Sequence, residues 1–450
     1  MRRLLAFGAV ALTAFGALAL DVGAPEPGFI ISYSAGAHDR QSRFLGGTEM
    51  RHLLGHAGKL YAGNGFAQDQ PGLEGPQGAA IVALDAPHAR WQVDTQFDAM
   101  MPDRRERRDF EISALASVNW HGTSMLLAAP VDRMGASRVF SRDEKSGAWS
   151  AATLAQDRPG ADPAPEVTSL AGHRDRVTGV EHVFAGQSPR GIFSGVFDAS
   201  APGHIRWSPA PEFSLAAASR DFPGLEKGPR VTGFAEFDGI LFAAVGQQIF
   251  ARSDGESPHW RLLYTNPQKN FSRIGLRGLT SIGAGLIAAV EGEHARIVRV
   301  DPKSGAETTE LDLEKFLGTE WGTQIAYVVA AYEGMAKVPD PAGGTALLSG
   351  LETFLPAGAP RPAGHAVNGD LEAGGWYLIR HGDGRYALHR IATYLLWSHH
   401  PLVAVRDIVA SPFAGDDGVY FAGFDTNGFP AHNSAWIYRA DRAVALKTSP

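Results

Sequence analysis

Arginine recurs at one position of this chain, at the start of short apolar runs that predict β-strands. The clearest cases are Arg51, Arg230, Arg277 and Arg406, and Arg108 precedes a fifth run. If these strands surround a common axis, their guanidinium groups gather at one opening, where the planar fork suits a carboxylate, sulfate or phosphate. The alternative is that each arginine pairs with a carboxylate on a neighbouring unit and only tightens the assembly. The first interpretation predicts that these four arginines bind an anion.

A second set of polar residues lies near the C-terminus, in "GFDTNGFPAHNSAW" and "WSHHPLVAVRD". His432, His400 and Asp425 are candidate acid–base groups, because loops of one structural unit can bring them together. Asn427 and Asn433 are candidate ligand-binding residues. The alternatives are an Asx-stabilised turn at "DTNG" and capping hydrogen bonds. "DTNG" matches half of a calcium loop without its remaining ligands, so we assign no metal ligands and leave the cofactor unknown, with a divalent metal as an open alternative.

No established catalytic motif narrows the chemistry. The chain has no G-x-S-x-G, H-E-x-x-H, P-loop or dinucleotide fingerprint. A hydrolase using two carboxylates would draw on Asp407, Asp425 or Glu320. Lyase chemistry and plain binding remain open beside it.

The elements that carry these residues are indicated by a repeat. Two apolar residues followed by two small ones recur six times, at 60–64, 126–130, 183–187, 241–245, 286–290 and 420–424. Each run is preceded by one strand-like segment and followed by two, which is typical of a four-stranded propeller blade. A second strand is covered on both faces and reads as a continuous apolar run, and crowding near the axis favours Ala and Gly.

We therefore predict an all-β fold, a single closed β-propeller of seven four-stranded blades over residues 28–450, with six or eight blades as alternatives. The seventh unit is inferred in the gap between 290 and 420, which also holds a Pro/Gly/Ala-rich insertion at 354–374. The strand at 28–34 is predicted to join the last blade and to close the ring.

The N-terminus predicts export. Arg2 and Arg3 precede an apolar run that ends in a small-x-small site, so residues 1–19 are predicted to be a signal peptide and 20–27 a linker. A membrane anchor is the alternative, although the run is short for a span. The absence of cysteine suits an oxidising compartment. We expect a periplasmic or secreted protein with no further membrane span and, at a net charge of −7, no nucleic-acid partner.

The chain resembles secreted bacterial β-propellers in general. "VDPKSG" at 300–305 is similar to turns of quinoprotein propellers, whereas "SDGESPHW" at 253–260 and "SRDEKSGAW" at 141–149 resemble the sialidase Asp-box and depart from it in spacing. The resemblance implies the fold and no specific family.

Three functions follow as hypotheses. The first is binding, and cleavage in an enzymatic form, of an anionic small molecule or glycan at the arginine-lined mouth. The second is a non-catalytic scaffold for a protein partner, which predicts exposed aromatic residues near the mouth, with Trp321, Trp397 and Phe429 as candidates. The third is a redox propeller that holds a quinone-type cofactor.

Overall fold

The fold is known from a computed structural model. It describes residues 24–66, 77–103, 105–120, 122–157, 165–222, 225, 229–267, 275–360, 366–368, 371–393, 402–425 and 434–447. Residues 1–19, the predicted signal peptide, lie outside these ranges.

Seven groups of antiparallel strands follow one another along the chain, and we call them sheets 1 to 7. From the innermost strand outwards, sheet 1 comprises Glu49–His56, Lys59–Gly65, Ala80–Leu84 and Gln92–Gln96. Sheet 2 comprises Asp109–Trp120, Thr123–Asp132, Ala136–Arg142 and Trp149–Gln156. Sheet 3 comprises Glu166–Arg174, Glu181–Ser188, Gly191–Phe197 and Ile205–Trp207, with Phe213–Ser214 beside its third strand.

Sheets 4 to 7 have the same order. Sheet 4 comprises Val231–Phe237, Ile240–Val245, Gln248–Ser253 and His259–Thr265, and sheet 5 comprises Leu276–Ile282, Gly285–Val290, Arg296–Val300 and Glu307–Asp312. Sheet 6 comprises the pair Tyr327–Ala330 and Ala336–Pro339 as its innermost strand, then Thr345–Phe354, Trp376–Arg380 and Tyr386–Arg390. Sheet 7 comprises Leu402–Ala410, Gly418–Asp425, Ala435–Asp441 and Phe29–Ser34.

Short elements complete the described part. Ala24–Pro25 pairs with Ala392–Thr393, and Ala37–His38 pairs with Phe44–Leu45. The helices are Leu215–Asp221, Leu313–Trp321, Arg442–Ala445 and the 3-10 turn Pro202–His204. Within the predicted insertion at 354–374, the strands Ala366–Asn368 and Leu371–Ala373 form a hairpin beside Phe354.

The small pairs lie on the second strands, as predicted, and their neighbours explain their size. A side chain added at Gly63 would meet Ile112 of sheet 2, and one added at Gly186 would meet Val231 of sheet 4. The innermost strand of the following sheet therefore presses against the small residue of the preceding one. This packing leaves no room for a branched side chain.

The innermost strands of neighbouring sheets lie side by side. Those of sheets 1 to 5 contact each other in chain order, and that of sheet 7 contacts both sheet 6 and sheet 1. Phe29–Ser34 pairs with Ala435–Asp441, which confirms that the N-terminal strand joins the last sheet. The fold is an all-β propeller, as predicted. The number of blades and the closure of the ring stay predictions, because several connecting segments lie outside the described residues.

A recurring contact joins sheets 1 and 2, 3 and 4, and 5 and 6 on the outside of the ring. In each case one carboxylate accepts hydrogen bonds from two residues of the later sheet, an arginine on the third strand and an aromatic residue on the fourth strand. The carboxylate belongs to the earlier sheet or to the segment that follows the earlier sheet. The three sets are Arg142, Trp149 and Asp94; Arg252, Trp260 and Glu212; and Arg380, Tyr386 and Glu310. Arg142 and Trp149 belong to the Asp-box-like segment 141–149, and Trp260 belongs to the segment 253–260. These two segments therefore contribute to the packing of neighbouring sheets.

Candidate functional site

Extra residues interrupt the register of the innermost strands where these line the axis. Sheets 1, 2, 3, 4, 5 and 7 each have one extra residue in this region, which is Arg51, Ser113, Thr168, Thr232, one of the pair Gly278 and Leu279 that lies opposite Ala288, and Arg406. A β-bulge turns a side chain out of the pattern of the strand. The bulges therefore determine which groups face the neighbouring sheet.

Hydroxyl groups at three of these bulges connect consecutive sheets. Each donates a hydrogen bond to a backbone carbonyl of the next innermost strand: Ser113 to Val167 at 2.8 Å, Thr168 to Val231 at 2.8 Å, and Thr232 to Leu276 at 2.5 Å. One side of the ring is thus held by neutral hydrogen bonds.

Each of the four predicted arginines has a carboxylate partner. The pairs are Arg51 with Glu111 and Glu333, Arg230 with Glu166, Arg277 with Glu291, and Arg406 with Glu49. All but the Arg277–Glu291 pair join different sheets. Their charges are compensated within the protein, which is the alternative that the sequence left open. Binding of an external anion by these arginines stays a prediction.

Tyr332 of sheet 6 lies between two of these arginines. The guanidinium carbons of Arg406 and Arg277 lie 4.0 and 4.6 Å from the centre of its ring, and its hydroxyl donates to Glu352. Such cation–π contacts strengthen when the groups are removed from water. They bring the two cations to one ring.

The innermost strand of sheet 6 is broken, unlike the others. Tyr327–Ala330 and Ala336–Pro339 both pair with Thr345–Phe354, and residues 331–335 leave the ladder between them. Ala331 has a positive φ of 54°, a conformation that a non-glycine residue seldom adopts. This segment places Glu333 at the axis, where Nη2 of Arg51 lies 3.1 Å from Oε1 and Nδ1 of His52 lies 3.9 Å from Oε2.

A polar cavity of about 130 Å³ lies beside Glu333. Its lining comes from the innermost strands of sheets 1 to 5 and from the 331–335 segment, and includes His52, Thr168, Thr232 and Gly278. Ligand pockets for drug-sized molecules measure about 300–1,000 Å³. The cavity is suited to a ligand of a few heavy atoms.

Two carboxyl groups near the axis titrate far from their usual range. Burial alone would raise the pKa of Glu333, but His52 and the nearby arginines hold it at about 2. Burial raises the pKa of Asp407 to about 8, with a further rise from Glu333, although the N–H groups of Leu53 and Ile408 donate to it. Such separated values mark candidate functional groups.

The predicted C-terminal site is described only at Asp425. This residue is buried at the end of Gly418–Asp425, opposite Leu402, and its backbone N–H donates to the Ser434 carbonyl at 3.2 Å. His400, Asn427, His432 and Asn433 lie outside the described residues. Their catalytic and ligand-binding roles therefore stay predictions.

Two further candidates lie away from the axis. Trp321 was expected to be exposed near the mouth, but it is buried against Trp376, because its helix packs in the core between sheets 5 and 6. Glu320 is exposed on the same helix, whereas Asp407 lies on the innermost strand of sheet 7. Trp397 and Phe429 lie outside the described residues.

The described ranges contain neither a metal-binding cluster nor a membrane-spanning helix. No three His, Asp or Glu side chains there are arranged to hold a metal ion. None of the helices described combines the length and apolar character needed to cross a bilayer.

Sequence reasoning missed Glu333. This residue falls within the seventh unit that the sequence predicts between 290 and 420, and the one available signal is a Glu-Gly pair in the middle of the apolar run "YVVAAYEGMAKV". A charged residue followed by glycine at such a place is compatible with a bulge or a break in the ladder.

Comparison with known proteins gives similarity of fold alone. No family model and no curated protein matches the chain. Among solved structures it is similar to the WD40 β-propeller domain of Doa1, with 11% identity, a TM-score of 0.44, and coverage of 93% of this chain and 99% of that chain. It is also similar to a GH74 enzyme from Niastella koreensis, with 11% identity, a TM-score of 0.47, and coverage of 90% and 55%. An ancestral GH74 enzyme has 11% identity, a TM-score of 0.49, and coverage of 95% and 52%, so the chain spans about half of each GH74 protein.

Proposed function

We propose that this protein is a non-catalytic propeller scaffold that binds a protein partner through one end of sheet 3. Five large apolar side chains are exposed among the described residues, and three of them, Val177, Val180 and Phe197, belong to this end. We call these three residues the sheet 3 patch. Exposed apolar groups that cluster in this way are typical of interaction surfaces.

The patch has a firm base and a polar edge. Trp120 is buried beneath it, 5.8 Å from the Phe197 ring, and its indole N–H donates to the Glu181 carbonyl at 3.3 Å. Half-exposed charges border it, with Arg176 on one side and Glu236 on the neighbouring sheet 4. An apolar centre with a charged rim is the usual composition of a protein interface.

The residues at the centre of the ring favour glycan binding less than the sheet 3 patch favours a protein partner. The arginines that would hold an acidic sugar are paired with carboxylates, and the cavity of about 130 Å³ is small for a saccharide. Anionic-glycan binding, with or without cleavage, is therefore the second candidate.

A comparison of two surface variants tests the proposal. Immobilised wild-type protein, the patch variant Val177→Asp/Phe197→Ser, and the control Ile31→Ser are exposed to extracellular proteins of the native host. A captured protein is then purified, and its Kd is measured by calorimetry. Ile31 is a suitable control because it is similarly exposed on the outer strand of sheet 7.

We expect wild type and control to bind with the same Kd, and the patch variant to bind at least about tenfold more weakly, as for loss of an interface hot spot. Equal binding by the patch variant would refute the proposal. A thermal shift caused by an acidic glycan, with no protein captured, would favour the second candidate.

We also propose that the scaffold acts in the periplasm or outside the cell, on the basis of the charged and apolar pattern of residues 2–20. N-terminal sequencing of protein from its native host tests this location. An intact Met1 on the mature protein would contradict it.

A further inference from the structure

The surroundings of Glu333 have the features of a binding site for a small anion. Arg51 is the cation in closest contact with it, and Arg277 and Arg406 contribute further positive charge. Its side chain is 11% exposed and therefore largely removed from solvent. In such surroundings a charge-assisted hydrogen bond is stronger than it would be in water.

Two nitrogen atoms beside Glu333 have no hydrogen-bond partner among the described residues, namely Nε of Arg51 and Nε2 of His52. His52 is 7% exposed and lines the cavity. Buried polar atoms are almost always paired, so these two atoms, on adjacent residues that both face Glu333, indicate a place for a further polar group. The Nε–H of Arg51 can only donate, and its natural partner is an oxygen atom.

Glu333 reaches this place by a departure from the pattern of the fold. The other innermost strands bulge by one extra residue near the axis, whereas sheet 6 contributes the five residues 331–335. The ring of Tyr332, the residue before Glu333, makes cation–π contacts with Arg277 and Arg406. The segment therefore delivers a carboxylate to the arginines much as a bound ligand would.

We infer that the centre of the ring is a binding site for small monocarboxylates, and that Glu333 occupies it as an internal ligand. Glu333 uses one arm of the Arg51 guanidinium, while a second arm binds Glu111 and Nε is unpaired. A ligand in the place of the Glu333 side chain can be little larger than that side chain, which suits formate or acetate. This site is separate from the sheet 3 patch, and either can exist without the other.

Removal of the internal ligand tests the inference. Glu333→Ala is prepared in the full chain, and its Tm is measured at pH 7 in sodium acetate, sodium formate and sodium chloride at equal ionic strength. We expect the variant to melt below wild type, and carboxylate to raise its Tm by a few degrees in a saturable manner, since a ligand of the native state stabilises it by mass action. Wild type should melt equally in all three salts.

Two controls separate specific binding from a general salt effect. In Glu333→Ala/Arg51→Ala the rise should be lost, because the main cation of the site is absent. In Glu166→Ala, which removes a carboxylate from the half-exposed Arg230, acetate should act no differently from chloride. If Glu333→Ala does not fold, Glu333→Ser is tested in the same way, because its hydroxyl group can hold water in the emptied place.

A specific rise in one of these variants, absent from the controls, would support the inference. Equal melting in acetate, formate and chloride would overturn it, as would an equal rise in Glu166→Ala or no refolding of either Glu333 variant in any salt.

Discussion

Oε1 of Glu333 lies 3.1 Å from Nη2 of Arg51, although 282 residues separate them in the chain. The contact joins sheet 6 to sheet 1 at the axis. Sheet 7 is fastened to sheet 1 by Arg406, which binds Glu49 at 2.8 Å, and by Asp407, which accepts the N–H of Leu53 at 2.8 Å. Sheet 1 is therefore held to sheets 6 and 7 by buried polar and charged groups.

Glu333→Gln should lower the free energy of unfolding at pH 7 by about 3 kcal/mol, because removing one partner of a buried ion pair leaves the other uncompensated. The pKa of Glu333 is about 2 in the fold, below its ordinary value, so its ionisation stabilises the fold above pH 4.5. The difference between the proteins should shrink as the pH falls from 4.5 towards 2. Urea unfolding at pH 7, 5 and 3 measures it, and a constant difference would contradict this prediction.

Asp407→Asn should gain stability relative to wild type as the pH rises from 5 to 8. Burial raises the pKa of Asp407 to about 8, far above its value in an unfolded chain, so ionisation of this group costs stability over that interval. Asparagine carries no such charge, and its loss of one acceptor adds a constant offset. Melting temperatures at pH 5, 6.5 and 8 test the trend. A relative stability that is constant or falls with pH would argue against it.

Arg252→Ala should destabilise the protein by about 3–5 kcal/mol, the usual effect of breaking a buried ion-pair network. This arginine is 1% exposed and binds Glu212 at 2.8 Å and Asp175 at 3.1 Å. Arg385→Ala is the matched control, since Arg385 pairs with Asp383 on the exposed surface. Urea unfolding should show no measurable change for the control, and similar values for both variants would disprove the role of Arg252.

Gly350→Ala should destabilise the protein by about 1–3 kcal/mol through overpacking. A methyl group at this position on the second strand of sheet 6 would overlap the backbone carbonyl of Val405 on sheet 7. Gly233→Ala is the control, because an added Cβ there has no neighbour within 4 Å. Thermal unfolding of both variants measures the effect, and a neutral Gly350→Ala would mean that the two sheets are less tightly packed.

The strands and their spacing could be read from the sequence because the relevant signals are local. Gly63 and Gly186 are small because the innermost strand of the following sheet packs against them, whereas Gly423 is small because Ala404 and Trp436 of its own sheet lie against it. The arginines were expected at the start of the innermost strands, which holds for Arg230, directly before Val231–Phe237, but not for Arg406, the fifth residue of Leu402–Ala410. Arg51 is the third residue of Glu49–His56, and Arg277 is the second of Leu276–Ile282.

The charge balance of the centre could not be read in this way. Arg406 binds Glu49, which is 357 positions away in the chain. A local sequence pattern cannot predict a partner at such a separation. The departure of residues 331–335 from the ladder was equally hidden, because an apolar segment with a central Glu-Gly still resembles a strand.

The sequence by itself determined where strands form, which residues are small and where the arginines stand, since side-chain size and alternation act over a few residues. Only the tertiary structure decided that the four arginines are paired and that Glu333 lies at the axis. Electrostatic pairing depends on distances of about 3 Å between groups far apart in the chain, and the folded ring alone creates those distances.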